Sequence, residues 1–339
     1  MTVLADRFEE VPRTTLATLP TPLERGPELP GGARLWMKRD DLTGLGAGGN
    51  KARKLEFLCA EAVAAGARSL VTVGAAQSNH CRMTAAAGAR LGMNVHLVLA
   101  GDRPERLDGN LALSSLFGAQ LHFVGCPDHH WGELEVAREQ VTAELAADDQ
   151  APHSIPIGGS TATGALGYVV AYAELLDQCA AAGIAPRAIV FTSSSGGTHA
   201  GLVAGRALAR ASGRADTPPV LAIGVAKGVL AGHPDVAELA RQALSMIGAI
   251  DAEIADGDIE VDDRWLGDDY AVPSSAGDEA IAWAARHGGW VLDRTYTGKG
   301  FSGLLGNADA GRWGAGDDVV FIHTGGLPAV FAAAGLPAH

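Results

Sequence analysis

Short β-branched runs alternate with longer alanine-rich stretches along the whole of this chain, and that alternation leaves few folds open. The runs predict strands at Leu35–Lys38, Ser69–Val73, Val95–Leu99, Gln120–Val124, Ala188–Thr192, Val220–Val225 and Asp318–His323. Helical periodicity falls at Lys51–Ala65, His80–Leu91, Gly109–Phe117, Trp131–Ala147, Ala165–Ala182, Thr198–Ala211, Pro234–Ile247 and Ser275–His287. Strands joined through a helix pair in parallel, so the pattern predicts an α/β fold of parallel-rich twisted sheets flanked by helices. The 339 residues suit two domains or one large α/β unit. Composition marks no boundary, and the acidic stretch Asp251–Asp269 reads as a surface excursion.

With 26 basic and 39 acidic residues the net charge is −13. Such a balance argues against nucleic acid or an anionic membrane as a partner, while local donors can still hold a small anion. No apolar run reaches the roughly 18 residues of a membrane span, and Met1–Arg7 lacks the pattern of a secretory signal. Cys59, Cys81, Cys126 and Cys179 lie far apart without paired spacing, which predicts reduced thiols in a cytoplasmic protein.

Glycine supplies 45 residues, so a glycine loop alone says little and its context decides. Gly44–Gly49 fits G-x-G-x-x-G, yet it follows the polar turn Arg39–Thr43, and no acidic residue stands where a ribose hydroxyl would need one. A nicotinamide site is therefore not expected. Gly298-Lys299 lacks the rest of a Walker motif. The loop Thr192-Ser-Ser-Ser195-Gly196-Gly197-Thr198 is different, because it joins a predicted strand to a predicted helix. Small residues let backbone N–H groups approach an oxyanion at a helix N-terminus, and the hydroxyls of Ser195 and Thr198 add donors. Capping alone needs less, so this loop is the expected phosphate site.

Only five lysines occur, Lys38, Lys51, Lys54, Lys227 and Lys299. Lys51 opens a helix, against the preference of the helix dipole. Gln77-Ser78-Asn79-His80 follows a strand directly, where parallel sheets hold ligands, although Ser78 or Asn79 could simply cap the next helix. The loop Cys126–Glu133 contains adjacent histidines but has no second ligand group at matching spacing, so no metal is expected. Asp293–Gly300 and His323–Gly326 place hydroxyls beside glycines, and on spacing alone both read as structural.

Taken in order, these segments resemble the pyridoxal-phosphate enzymes of the tryptophan-synthase-β-like fold, fold type II. More narrowly they resemble the D-cysteine desulfhydrase and 1-aminocyclopropane-1-carboxylate (ACC) deaminase family. The likeness starts at Leu19-Pro-Thr-Pro-Leu23, runs through Lys38-Arg-Asp-Asp41, Gly48–Glu56 and Gln77–His80, and ends at Phe321–Gly326. It implies a large cofactor-binding domain (1–49 and 163–339) with a small domain (50–162) inserted into it, and a homodimer. It implies pyridoxal 5'-phosphate carried covalently by Lys51, with Asn50, Asn79, Thr297 and Thr324 at the cofactor and Ser195, Gly196, Gly197 and Thr198 at its phosphate. Ser78, Asn79 and His80 match the place of the substrate carboxylate, and Tyr270 and Tyr296 match two active-site tyrosines.

ACC deaminases of the family typically have Glu, Leu and Gln where this chain has Thr297, Thr324 and His80, which is the desulfhydrase pattern. A neutral hydroxyl at the pyridine nitrogen does not keep it protonated, and a weaker electron sink suits elimination of a good leaving group. The resemblance thus implies α,β-elimination on a small β-substituted amino acid, D-cysteine giving pyruvate, sulfide and ammonia. Related lyases on cysteate, β-chloroalanine or ACC are the alternatives. Lys51 or Tyr296 serves as base on this reading, and Tyr270 and Ser78 complete the catalytic set. Met83, Ala271 and Ser193-Ser194 depart from the family pattern, and Lys227–His233 has no distinctive counterpart.

Overall fold

The computed structural model describes residues 7–128, 130–226, 235–255 and 257–332. Lys227–His233 and His129 lie outside them. Ten strands form two sheets among the described residues. The larger sheet contains β1 (Leu23–Glu28), β2 (Arg34–Lys38), β7 (Ala188–Ser193), β8 (Val220–Gly224), β9 (Glu260–Asp262) and β10 (Asp318–Ile322), in the order β1-β2-β10-β7-β8-β9. The smaller contains β3 (Ser69–Gly74), β4 (Asn94–Leu99), β5 (Gln120–Phe123) and β6 (Pro152–Ser154), in the order β5-β4-β3-β6. Every pairing among them is parallel except β1 with β2. Strands β3, β7, β8 and β10 are buried throughout, as parallel strands covered on both faces must be.

Among the described residues nine helices cover these sheets: α1 (Lys51–Ala64), α2 (Asn79–Leu91), α3 (Gly109–Leu116), α4 (Trp131–Ala147), α5 (Ala162–Ala182), α6 (Gly197–Ala211), α7 (Val236–Met246), α8 (Ser275–Gly288) and α9 (Thr297–Asp309). Leu70, Leu97 and Leu99 of the smaller sheet pack on Leu55 and Leu58 of α1 and Met83 of α2. Val73 and Val98 face Leu134 of α4. In the larger sheet, Val190, Ile223 and Phe321 meet Phe301 and Leu304 of α9, while Phe191 and Ile322 meet Tyr168 and Tyr172 of α5.

Glycine has two packing uses here. Gly300 and Gly303 of α9 would each drive a Cβ into the sheet, 1.9 Å from Thr192 Oγ1 and 2.7 Å from Ile223 Cδ1. Gly201 and Gly205 of α6 meet Tyr168 and Tyr172 of α5 at 2.5 and 2.6 Å in the same way. The elements therefore approach closely, and that is why α9 forms despite four glycines that lower its propensity. The sequence pattern does not predict α9, nor does it predict β1, β6 and β9. The acidic stretch also differs from the expected surface excursion: it contains β9, and Asp258 and Asp262 are buried in ion pairs with Arg206, Arg210 and Arg264.

One buried polar network fixes α1 on the larger sheet. Arg53 donates to both oxygens of Asp40 at 2.9 Å and to Glu174 Oε2 at 3.0 Å. Tyr168 Oη and Thr21 Oγ1 donate to Asp40 at 2.6 and 2.7 Å, and Lys38 pairs with Glu174. Every charge there is partnered, as burial requires.

Candidate active site

A cleft opens where the carboxyl ends of β3, β7 and β10 converge, the crevice in which parallel α/β sheets bind ligands. The turn ahead of Lys51 is closed by Thr43, whose hydroxyl donates to Gly49 O at 2.7 Å and accepts from its N–H at 2.8 Å. Gly48 has φ 76°, and a Cβ there would lie 1.9 Å from Asp41 O, so only glycine fits. Asn50 N–H donates to Thr324 O at 2.9 Å, tying the turn to the end of β10. Lys51 consequently projects into the cleft, its Nζ 3.5 Å from Gly158 O. Among the described residues no carboxylate pairs with it, and burial lowers its amine to about 8.

Ser195 and Gly196, the latter at φ 80°, turn the chain from β7 into α6, whose first N–H groups have no partner inside the helix. Ser160 Oγ donates to Ser195 Oγ at 3.0 Å and accepts from Gly197 N–H at 3.2 Å. Thr198 Oγ1 accepts from Asn50 Nδ2 at 3.1 Å. Lys54, one turn beyond Lys51, is fully buried, and its Nζ donates to Gly158 O at 2.6 Å and Ser160 Oγ at 3.4 Å. A Cβ on Gly197 would lie 2.5 Å from that nitrogen. Burial, and secondarily Lys51, lowers the Lys54 amine well below the usual lysine range. A desolvated amine beside free backbone donors is a receptor for an anion.

Across the cleft, Tyr270 and Tyr296 share a hydroxyl–hydroxyl hydrogen bond. Burial raises both phenols, so both stay protonated at neutral pH. Trp131 stands edge-on to Tyr270, with ring centroids 6.3 Å apart at 88°. Ser78 caps α2, its Oγ accepting from Cys81 N–H at 3.2 Å, which leaves the hydroxyl proton for the cleft. His80 is neutral, because burial and then Lys51 and Lys54 disfavour its charge. Thr72 Oγ1 donates to Ile155 O at 2.9 Å and lies 2.9 Å from His80 Nε2, so the imidazole proton sits on Nε2. The His80 side chain is therefore not a cationic anchor, and a carboxylate at α2 would meet backbone N–H groups instead.

The structure gathers Lys51, Asn50, Ser78, Asn79, His80, Ser195, Gly196, Thr198, Tyr270, Tyr296 and Thr324 around this one cleft. Gly197 lies just outside the lining. Thr297 does not line it either: the hydroxyl donates to Asp293 Oδ1 at 2.7 Å and accepts from Asp293 N–H at 2.8 Å, within the cap of α9. Of the two threonines expected at the cofactor, Thr324 is the one that faces the cleft. Sequence reasoning misses Lys54, Gly158, Ser160 and Trp131. For Lys54 a signal exists, a second lysine one turn after Lys51 in a lysine-poor chain. In the loop Cys126–Glu133, His130 Nδ1 lies 2.7 Å from Glu133 Oε1.

A profile of pyridoxal-phosphate dependent enzymes matches residues 14–325, and the chain belongs to that family. Its cofactor is pyridoxal 5'-phosphate. More narrowly, the chain is 38% identical over 331 residues to D-cysteine desulfhydrase of Salmonella choleraesuis (strain SC-B67), covering 95% of this chain and 96% of that one. The Salmonella typhi D-cysteine desulfhydrase is 38% identical over 330 residues, with the same coverage. A crystal structure of an ACC deaminase homologue superposes with a TM-score of 0.86 at 33% identity, covering 98% of this chain and 97% of that one. A fungal L-serine ammonia-lyase from Rhizomucor miehei, at 17% identity and a TM-score of 0.62 over 91% of this chain and 94% of that one, shares the fold.

The residues present suit this cofactor. Among the described residues Ser193 Oγ is buried in the cleft wall without a partner, and burial lowers the Lys51 amine to about 8. Gly158 lets Ser195 pack closely beside Lys51, since a Cβ there would lie 2.2 Å from Ser195 Oγ and 3.5 Å from Lys51 Nζ. Lys51 would hold the cofactor covalently, and Ser195, Gly196, Thr198 and Lys54 would hold its phosphate.

Proposed function

We propose that this protein catalyses α,β-elimination on a small β-substituted amino acid, with D-cysteine giving pyruvate, sulfide and ammonia. The observation that carries the reading is a desolvated lysine amine facing a pair of protonated phenols across one cleft. Bound pyridoxal phosphate acts as the electron sink for the substrate's Cα. The Lys51 amine, once displaced by the substrate's own amine, takes the Cα proton at Nζ. Tyr296, too weak an acid to be present as phenolate, keeps its proton for the departing sulfur, with Tyr270 hydrogen-bonded beside it. The Ser78 hydroxyl and the first N–H groups of α2 receive the substrate carboxylate. Trp131 and Tyr270 narrow the mouth and limit water.

The D-cysteine desulfhydrases at 38% identity support this substrate. Likeness to an ACC deaminase homologue supports the second reading, a lyase or deaminase on the same scaffold acting on cysteate, β-chloroalanine or ACC. A panel of D- and L-cysteine, cysteate, β-chloroalanine and ACC, with 2-oxo acid and released sulfide, sulfite or chloride measured, separates them. D-Cysteine turning over fastest, with pyruvate equal to sulfide, is the expected result; 2-oxobutyrate from ACC as the main activity overturns it. Tyr296→Phe is expected to retain the cofactor and lose turnover. We further propose that residues 50–162 form a small domain inserted into the large one, consistent with β3–β6 making a sheet of their own. The same reading makes the enzyme a homodimer of the cytoplasm. Among the described residues no helix is long and apolar enough to cross a membrane, and the four cysteines are free and buried.

A further inference from the structure

Arg82 is fully buried, yet among the described residues no carboxylate pairs with it. Burial is the one cause that moves its guanidinium, down to about 9, so the group still carries its charge at neutral pH. An unpaired buried cation is expensive and calls for compensation. Its hydrogen bonds all end on neutral oxygens. Nη1 donates to Gly48 O at 2.9 Å and to Gly46 O, which clamps the turn ahead of Lys51. Nε donates to Asn110 Oδ1 at 3.0 Å, and Nη2 to Asn79 Oδ1 at 3.3 Å.

These contacts fix the amides without ambiguity. A guanidinium has donors and no acceptor, so each amide must turn its oxygen toward Arg82. Asn110 then presents its Nδ2, which donates to Gln77 O at 2.8 Å and to Asn79 Oδ1 at 3.0 Å. With two donors on Oδ1, Asn79 cannot rotate its oxygen outward. It lines the cleft, and what remains for a ligand there is its NH2 group, backed by an uncompensated positive charge.

We infer that Arg82 is a positioning residue that orients Asn79 and supplies the cation for an anionic oxygen of the ligand at that spot. The inference rests on the cleft being the pyridoxal-phosphate site. Two ligand groups have this chemistry, the ring oxygen of the cofactor and the carboxylate of the amino acid, and binding measurements separate them.

The first arm titrates the cofactor-free protein with pyridoxal phosphate and with its 3-O-methyl derivative, which lacks the ring oxyanion, followed by fluorescence. The second titrates the loaded protein with D-alanine and with ethylamine, which lacks the carboxylate, followed by the visible band. If the ring oxygen is the partner, Arg82→Met weakens pyridoxal phosphate at least tenfold while the methylated derivative binds as before. If the carboxylate is the partner, Arg82→Met weakens D-alanine at least tenfold and leaves ethylamine unchanged. A simple loss of structure would weaken both members of each pair together, and that outcome overturns the inference, as does no change in any of the four.

Should Arg82→Met fail to fold, Asn79→Asp carries the same test. It places an anion against Arg82 and removes the NH2 donor, so the same selective weakening is expected. Unchanged or tighter binding by Asn79→Asp overturns the inference. If pyridoxal phosphate fails to bind the unmodified protein at all, it is the reading of the cleft that falls.

Discussion

Lys54→Met keeps the volume of a buried side chain and removes its amine. Among the described residues Lys54 has only a carbonyl at 2.6 Å and a hydroxyl at 3.4 Å as partners, and burial depresses its amine. The unfolded chain titrates Lys near 10.4. Between the depressed folded value and the unfolded one, the unfolded chain binds a proton that the folded chain lacks. Stability therefore rises with pH across that window, by about 1.4 kcal/mol per pH unit for one whole proton. Lys51, lowered to about 8, contributes a further rise of its own above that pH. Lys54→Met abolishes the first contribution and leaves the second. With cofactor bound, a phosphate beside Gly197 would give the Lys54 ammonium a counter-ion. A charge-assisted hydrogen bond contributes about 1.5–3 kcal/mol, so the variant is expected to bind cofactor roughly 10- to 150-fold more weakly. Urea unfolding of the cofactor-free protein over a pH series, and cofactor titration by fluorescence, give both quantities. Unaltered cofactor affinity together with an unaltered pH slope would refute the placement of Lys54 at the phosphate.

Gly158→Ala puts a Cβ 2.2 Å from Ser195 Oγ at a φ of 63°. The left-handed conformation alone costs about 1–2 kcal/mol, and the displaced Ser195 adds to it, so cofactor affinity is expected to fall at least about tenfold; fluorescence titration measures it, and wild-type affinity would count against the cradle. Arg53→Leu removes the cation from the buried Asp40 carboxylate and is expected to destabilise by about 3–5 kcal/mol in urea unfolding. A loss below about 1 kcal/mol would mean that Lys38 and Tyr168 suffice to hold Asp40.

The strands that build the cleft are readable because β3, β7, β8 and β10 are buried on both faces and so are written as continuous apolar runs. Charged residues and Pro27 hide β1, an edge strand paired antiparallel. Helix α9 hides behind its glycines, which serve close packing on β7 and β8 rather than a loop. In the site, hydroxyls clustered around Gly196-Gly197 exceed any capping need and are visible as a pattern. Thr297 lies off the cleft lining because Asp293, which its place in the sequence does not reveal as a partner, takes its hydroxyl. The union of Arg82, Asn110 and Asn79 depends on a tertiary contact between α2 and α3 that no local periodicity encodes.

The chemistry turns on which amine bears the cofactor. Borohydride reduction of the loaded protein, followed by peptide mass mapping, reads that directly. The pyridoxyl group is expected on Lys51, and a Lys51→Ala protein is expected to show neither label nor visible band nor turnover. Label on Lys54 or Lys299, or a Lys51→Ala protein that keeps the band and full activity, would contradict the assignment.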